Sequence, residues 1–80
     1  MSTVLLRHMA VGQKGVITRV TALGELGRRI RDMGIVPGTP LQIQGRAPLK
    51  DPVAVRVRNF TLTLRNNEAD YIFVEVDEPA

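Results

Sequence analysis

The spacing of apolar residues changes period along the chain, and the changes mark the elements. In "VITRVTAL" Val16, Thr18 and Val20 alternate with Ile17, Arg19 and Thr21, the two-residue period of a strand. In "GELGRRIRDMG" the period lengthens. Leu26, Ile30 and Met33 fall at i, i+4 and i+7, on one face of a predicted helix. Arg28, Arg29, Arg31 and Asp32 lie off that face. Gly34 is placed to end the helix in a left-handed cap, and Pro37-Gly38 suit the centre of a type II turn. Alternation then resumes. Leu41 and Ile43 alternate with Gln42 and Gln44, and Val53, Val55 and Val57 with Ala54 and Arg56. Phe60, Leu62 and Leu64 alternate with Thr61 and Thr63, and Ile72, Val74 and Val76 with Tyr71 and Phe73 on the opposite face. Upstream, Leu5, Leu6, Met9 and Val11 in "VLLRHMAVGQKG" are consistent with one helical turn, stopped at Gly12.

Register follows from this pattern. A two-residue turn at Arg58-Asn59 sets Val57 opposite Phe60, Val55 opposite Leu62 and Val53 opposite Leu64, so every apolar pair shares one face and Phe60 is taken into the core. Asn59 tolerates positive φ well and Arg58 poorly. "RNNEAD" reads as a single 3₁₀ turn before the final strand. The prediction is a mainly β domain: a five-stranded SH3-like barrel with one short helix after the first strand and a 3₁₀ turn before the last. An OB-fold places its helix between the third and fourth strands, where this chain has only the tight turn near Asn59. The predicted unit is a single domain over residues 1–80, near the lower size limit for a self-sufficient core.

Composition narrows the chemistry. The chain has no cysteine, so disulfides, thiolate catalysis and zinc-finger sites are excluded. No apolar run approaches the roughly 20 residues that span a bilayer. The N-terminus has an apolar patch without a basic region ahead of it or a cleavage signal, and a soluble cytosolic protein is expected. The net charge of +3 admits nucleic acid, lipid headgroups or an acidic protein face as partners without choosing among them. His8 is the one imidazole, and beside apolar residues near the terminus it reads as a surface or packing residue. The carboxylates are scattered, with Glu75, Asp77 and Glu78 clustered at the tail, and no calcium loop, phosphate cradle or dinucleotide fingerprint appears. Neither a catalytic group nor a metal site nor a cofactor is expected. A nucleic-acid-binding barrel is an open alternative: Arg56, Arg58 and Arg65 suggest a basic stripe, although with Phe60 in the core a stacking platform is lacking.

The connection "RAPLKDPVAV" is unusual for a simple strand link. Pro48 and Pro52 stiffen it, no glycine relieves it, and Leu49 is its one large apolar side chain. One reading is a rigid connector; the other is a preordered loop that presents Leu49, between Lys50 and Asp51, to a partner.

Taken in order, "GELGRRIRDMGIVPGTPLQI" and "RAPLKDPVAVRVRNFTLTLRNNEADYIFV" resemble the ferrous iron transport protein A (FeoA) family, from about Leu5 to Val76. Lys50 departs from the family's common "PLGDP". The resemblance implies an SH3-like barrel and a small cytosolic accessory protein of bacterial ferrous iron uptake. It also implies a partner, the membrane permease FeoB with its cytosolic G-protein domain. The domain type also occurs at the C-terminus of iron- and manganese-dependent repressors, so a metal-responsive module is a second alternative. On this reading the expected protein-binding residues are Ala47, Pro48, Leu49, Lys50, Asp51 and Pro52, with Leu26, Arg28 and Arg29 from the adjacent helix. Arg28 and Arg29 are the candidates for an arginine presented to a G-protein's nucleotide; paired arginines on a short helix otherwise solubilise or pair with nearby acids.

Overall fold

Strong period-two segments with β-branched residues pair into one antiparallel sheet in the computed structural model, which describes residues 2–49, 51–58 and 60–77. The elements in chain order are β1 (Ser2–Leu5), a 3₁₀ turn (Leu6–His8), β2 (Lys14–Val20), α1 (Gly24–Asp32), β3 (Pro40–Arg46), β4 (Val53–Val57), β5 (Phe60–Leu64), α2 (Asn66–Ala69) and β6 (Ile72–Val76). The strand order is β1-β6-β2-β3-β4-β5. Register shifts between Ile17 and Arg19 in β2, and between Ile43 and Gly45 in β3, mark the irregularities that bend a flat sheet toward a barrel. The architecture is that of an SH3-like barrel. No helix among the described residues is long and apolar enough to cross a membrane.

The five predicted strands are present as β2 to β6, and a sixth precedes them. Ser2–Leu5 pairs with β6, Val4 opposite Val74 and Leu5 opposite Phe73. Four residues are too few to show a period, and this strand exists because β6 offers it a ladder. The helical turn expected near Leu5 forms as the 3₁₀ turn that follows, with Leu6 fully buried. The turn before the last strand is α-helical rather than 3₁₀: the N–H groups of Ala69 and Asp70 reach back four residues to the carbonyls of Arg65 and Asn66, each at 2.9 Å.

The β4–β5 hairpin has the predicted register, Val57 opposite Phe60, Val55 opposite Leu62 and Val53 opposite Leu64. Arg58 takes the left-handed conformation, φ 55°, to make so tight a turn; Asn59 lies outside the described residues. One expectation fails here. Phe60 does not enter the core but is 46% exposed. It opens β5, which has β4 on one side and no strand on the other among the described residues, and about half of the residue is left uncovered.

The α1 stripe packs inward. Ile30 is fully buried, and Leu26 and Met33 lean half-buried on the same core. The helix ends as its glycine predicts. Gly34 has φ 90°, its N–H donates to Arg31 O at 2.9 Å, and Ile35 N–H donates to Ile30 O at 3.2 Å. This is a Schellman arrangement, with Ile35 buried beside the helix it closes. The type II turn follows: Gly38 at φ 92° with Thr39 N–H to Val36 O at 3.1 Å. Ile17 N–H to Thr39 O and Gly38 N–H to Ile17 O then tie the whole excursion back to β2.

Because Ile30 is the fully enclosed member of the stripe, Ile30→Ala is expected to destabilise the domain by about 2–4 kcal/mol. Chemical or thermal denaturation measures this. A melting temperature within a degree or two of the parent would show that α1 does not pack as described.

Candidate docking surface

α2 is one turn long, yet four parts of the chain are tied to it or to the two residues that follow it. Its third residue, Glu68, is 3% exposed although it carries a carboxylate. Glu68 Oε1 accepts the Arg65 backbone N–H at 2.9 Å, satisfying a donor that the short helix leaves over. Glu68 Oε2 lies 3.2 Å from Arg29 Nη1 on α1, an ion pair without hydrogen-bond geometry. At the start of α2, Asp51 Oδ1 accepts the Asn66 N–H at 2.9 Å, a carboxylate at the positive end of a helical turn. After its end, Asp70 holds Arg7 of the 3₁₀ turn at 3.0 Å, and Thr21 N–H donates to Tyr71 O at 2.8 Å.

The geometry sorts the predicted docking residues. The loop 47–52 closes on itself through Ala47 N–H to Pro52 O, at 3.1 Å. Ala47 is half-buried, whereas Pro48 and Pro52 are exposed. Leu49 stands 89% exposed, so it is not a core residue capping the barrel. Lys50 lies outside the described residues. Asp51 is exposed but engaged by α2, which gives it a structural task in holding the loop. Leu26 belongs to the core margin. Arg28 is exposed and makes no ion pair among the described residues. Arg29 has a partner in Glu68, while its side chain remains 67% exposed.

Sequence reasoning missed two residues here. Leu23, at the entry to α1, is 86% exposed, and it lies two residues beyond the Thr21 link to Tyr71. The pattern in "VITRVTAL" carried it as part of a strand that in fact stops at Val20. Its signal was the glycine that follows it, which marks a break rather than a continuation. The other is Glu68. Its spacing three residues after Arg65 is that of a capping glutamate, but an arginine at the capping position hides the motif.

The basic stripe divides. Arg56 and Arg58 share a groove of about 430 Å³ with Lys14 on the outer face of the barrel, and Glu75 and Asp77 line it too. Arg65 sits at the opposite end of the hairpin, leading into α2. The exposed rings, Phe60 and Tyr71, belong to different corners, and Phe73 lies beneath Arg19, 4.7 Å from the ring centre. No cluster of three or more metal-ligating side chains occurs among the described residues.

A small six-stranded antiparallel barrel of this strand order belongs to the class of SH3-like domains. A family model of the FeoA domain matches residues 4–76, and the chain belongs to that family. A curated relative from Porphyromonas gingivalis, a fusion of Fe(2+) transport protein A with the Fe(2+) transporter FeoB, is 37% identical over 71 residues. That match covers 89% of this chain and 8% of the relative, so the chain spans a small fraction of the fusion's length. Among solved structures, a FeoA-like protein from Clostridium acetobutylicum superposes with a TM-score of 0.88 at 36% identity, covering 100% of this chain and 93% of that one. A FeoA from Stenotrophomonas maltophilia, solved with zinc and described as a prokaryotic SH3 domain protein, gives 0.77 at 25% identity over 94% of this chain and 91% of that one.

These contacts separate support from presentation. Asp51→Ala is expected to cost about 0.5–2 kcal/mol by orphaning the Asn66 N–H, as loss of a helix cap does. Leu49→Asp should change stability by no more than about 0.5 kcal/mol, as for an isolated surface site. Glu68→Ala should cost about 1–3 kcal/mol, with Glu68→Gln less severe because it retains an acceptor for Arg65. Denaturant titrations of the four variants give the ranking directly; a Leu49→Asp protein less stable than Glu68→Ala would contradict it.

Proposed function

We propose that this protein is a non-enzymatic accessory module of ferrous iron uptake, acting in the cytoplasm by docking on a FeoB-type permease through Leu49 and Leu23. The observation that carries the reading is the pairing of exposure with anchorage. Both leucines are almost fully exposed, yet each stands on a segment fastened near the α2–β6 corner, through Asp51 for the first and Thr21 for the second. An apolar side chain held in place before binding loses little conformational entropy on docking. The fusion relative supports the choice of partner, since a FeoA-type sequence and FeoB share one polypeptide there.

The same contacts define the role of the arginines. Arg29 is committed to Glu68, so its first task is to brace α1 against α2. An arginine that accelerates phosphoryl transfer must be free to reach the nucleotide. Arg28, exposed and without an ion pair among the described residues, is the arginine left free to do so; on the scaffolding reading the protein raises GTP hydrolysis by the isolated G-protein domain by less than about tenfold, against the 10³–10⁵ that an inserted arginine supplies. A larger increase that disappears in Arg29→Ala would overturn the non-enzymatic, scaffolding reading.

Binding to the detergent-solubilised permease tests the docking surface. Leu49→Asp and Leu23→Asp should each weaken it by about tenfold or more, the typical effect of losing a desolvated anchor. The affinity should change little with salt, whereas a phosphate-backbone partner held by Arg56 and Arg58 would be lost steeply as salt rises. Wild-type affinity in both leucine variants would place the contact elsewhere.

A further inference from the structure

β5 ends the sheet, and nothing in its sequence guards that edge. It pairs with β4 alone among the described residues, and the β4–β5 ladder runs without a register shift. Edge strands are usually blunted by charge, proline or a bulge; "FTLTL" has none of these. The two-residue turn makes Val57 and Phe60 a hydrogen-bonded pair, and such pairs alternate along an antiparallel ladder. Phe60, Leu62 and Leu64 therefore turn their N–H and C=O groups toward β4. Thr61 and Thr63 turn theirs outward, where they find no backbone partner among the described residues. Both threonines are exposed, and so is half of Phe60.

We infer that β5 is the contact strand of a symmetric homodimer, in which two copies pair antiparallel about Leu62 to continue the sheet. The choice of a second copy rests on register. Reversed about Leu62, the strand nearly repeats itself: Thr61 meets the second copy's Thr63, Leu62 meets Leu62, and Phe60 meets Leu64. In this arrangement Thr61 and Thr63 form the hydrogen-bonded pairs, which are the residues whose backbone groups point outward. Leu62 forms the non-hydrogen-bonded pair, where side chains approach most closely. Threonine pairs line the outer face and the Phe60–Leu64 pairs the inner face, both favourable cross-strand combinations. Centring the two-fold on Thr61 would set Leu64 opposite Arg58, and centring it on Thr63 would set Phe60 opposite Asn66, so either choice leaves an end of the apolar face unmatched. The half-exposed Phe60 gains the cover that its own sheet denies it.

Sedimentation equilibrium of the full chain, from micromolar to millimolar concentration, tests the inference together with a charge-swap pair. The parent should show a reversible monomer–dimer equilibrium. Thr61→Lys/Thr63→Lys sets lysine opposite lysine at both hydrogen-bonded pairs and should weaken dimerisation by about tenfold or more. Thr61→Lys/Thr63→Glu sets lysine opposite glutamate in this register alone, and should restore dimerisation to within about threefold of the parent. Melting curves of dilute samples, in which all three proteins are monomeric, should coincide because both positions are exposed. A parent that stays monomeric throughout, including one that instead captures an extended segment of another protein, overturns the homodimer. So does a double-lysine variant that associates like the parent. A lysine–glutamate variant as weak as the double-lysine one overturns the register.

Discussion

The buried carboxylate of Glu68 is the constraint on which the working end of this barrel depends. A carboxylate out of water is costly unless its oxygens are engaged. Here one oxygen accepts the Arg65 N–H and the other faces the Arg29 guanidinium. Meeting both demands fixes α2 as a helical turn and draws α1 against it. An exposed ion pair alone contributes little, because solvent screens it and two flexible side chains must be ordered. Burying the acid changes the balance: Arg29 is retained because releasing it would leave a charge uncompensated in the interior. With only four residues, α2 has no stability of its own. It survives because Asp51 and Glu68 accept the N–H groups left over at its start, while the Asp70–Arg7 ion pair fastens the residue that follows it.

From that corner the surface follows. The loop 47–52 is held at Asp51, closed by Ala47 and Pro52, and stiffened by its prolines. Its tip leaves the large apolar side chain of Leu49 almost fully exposed. The entry to α1 repeats the arrangement in another form, with Leu23 exposed just beyond the Thr21–Tyr71 link and Ile30 buried about two turns further on. Packing thus supplies rigidity while exposure supplies the contact, and the two are carried by different residues. On the proposed reading, a partner that docks here meets side chains on segments already fastened, so little conformational entropy is lost on binding.

The fold was legible wherever periodicity was long enough to count. The Leu26, Ile30 and Met33 stripe, the Gly34 cap, the Pro37-Gly38 turn and the β4–β5 register all follow from local spacing, and local geometry satisfies them. What escaped was set by the tertiary environment. Ser2–Leu5 becomes a strand because β6 lies beside it. Phe60 has the right parity for the core but stands at an open edge, and parity says nothing about how far the core extends. At the candidate site, the sequence identified Leu49 as out of place in a polar loop. It raised acid pairing for the helix arginines without pointing to Glu68, and gave no sign that Asp51 holds α2, since both partners, Asn66 and Glu68, are distant in sequence. Leu23 was hidden by a strand pattern that ran three residues too long.

On the proposed reading the α2 corner presents the apolar anchors to a FeoB-type partner. The most direct measurement is a chemical-shift titration of isotopically labelled protein with the unlabelled cytosolic G-protein domain. The account predicts that the largest perturbations fall on residues 47–51 and 21–25, with the backbone amides of Arg65 and Asn66 responding next and Arg56, Arg58 and β2 nearly silent. Perturbations concentrated instead along Lys14, Arg56 and Arg58 on the outer face, with Leu49 and Leu23 unmoved, would contradict it.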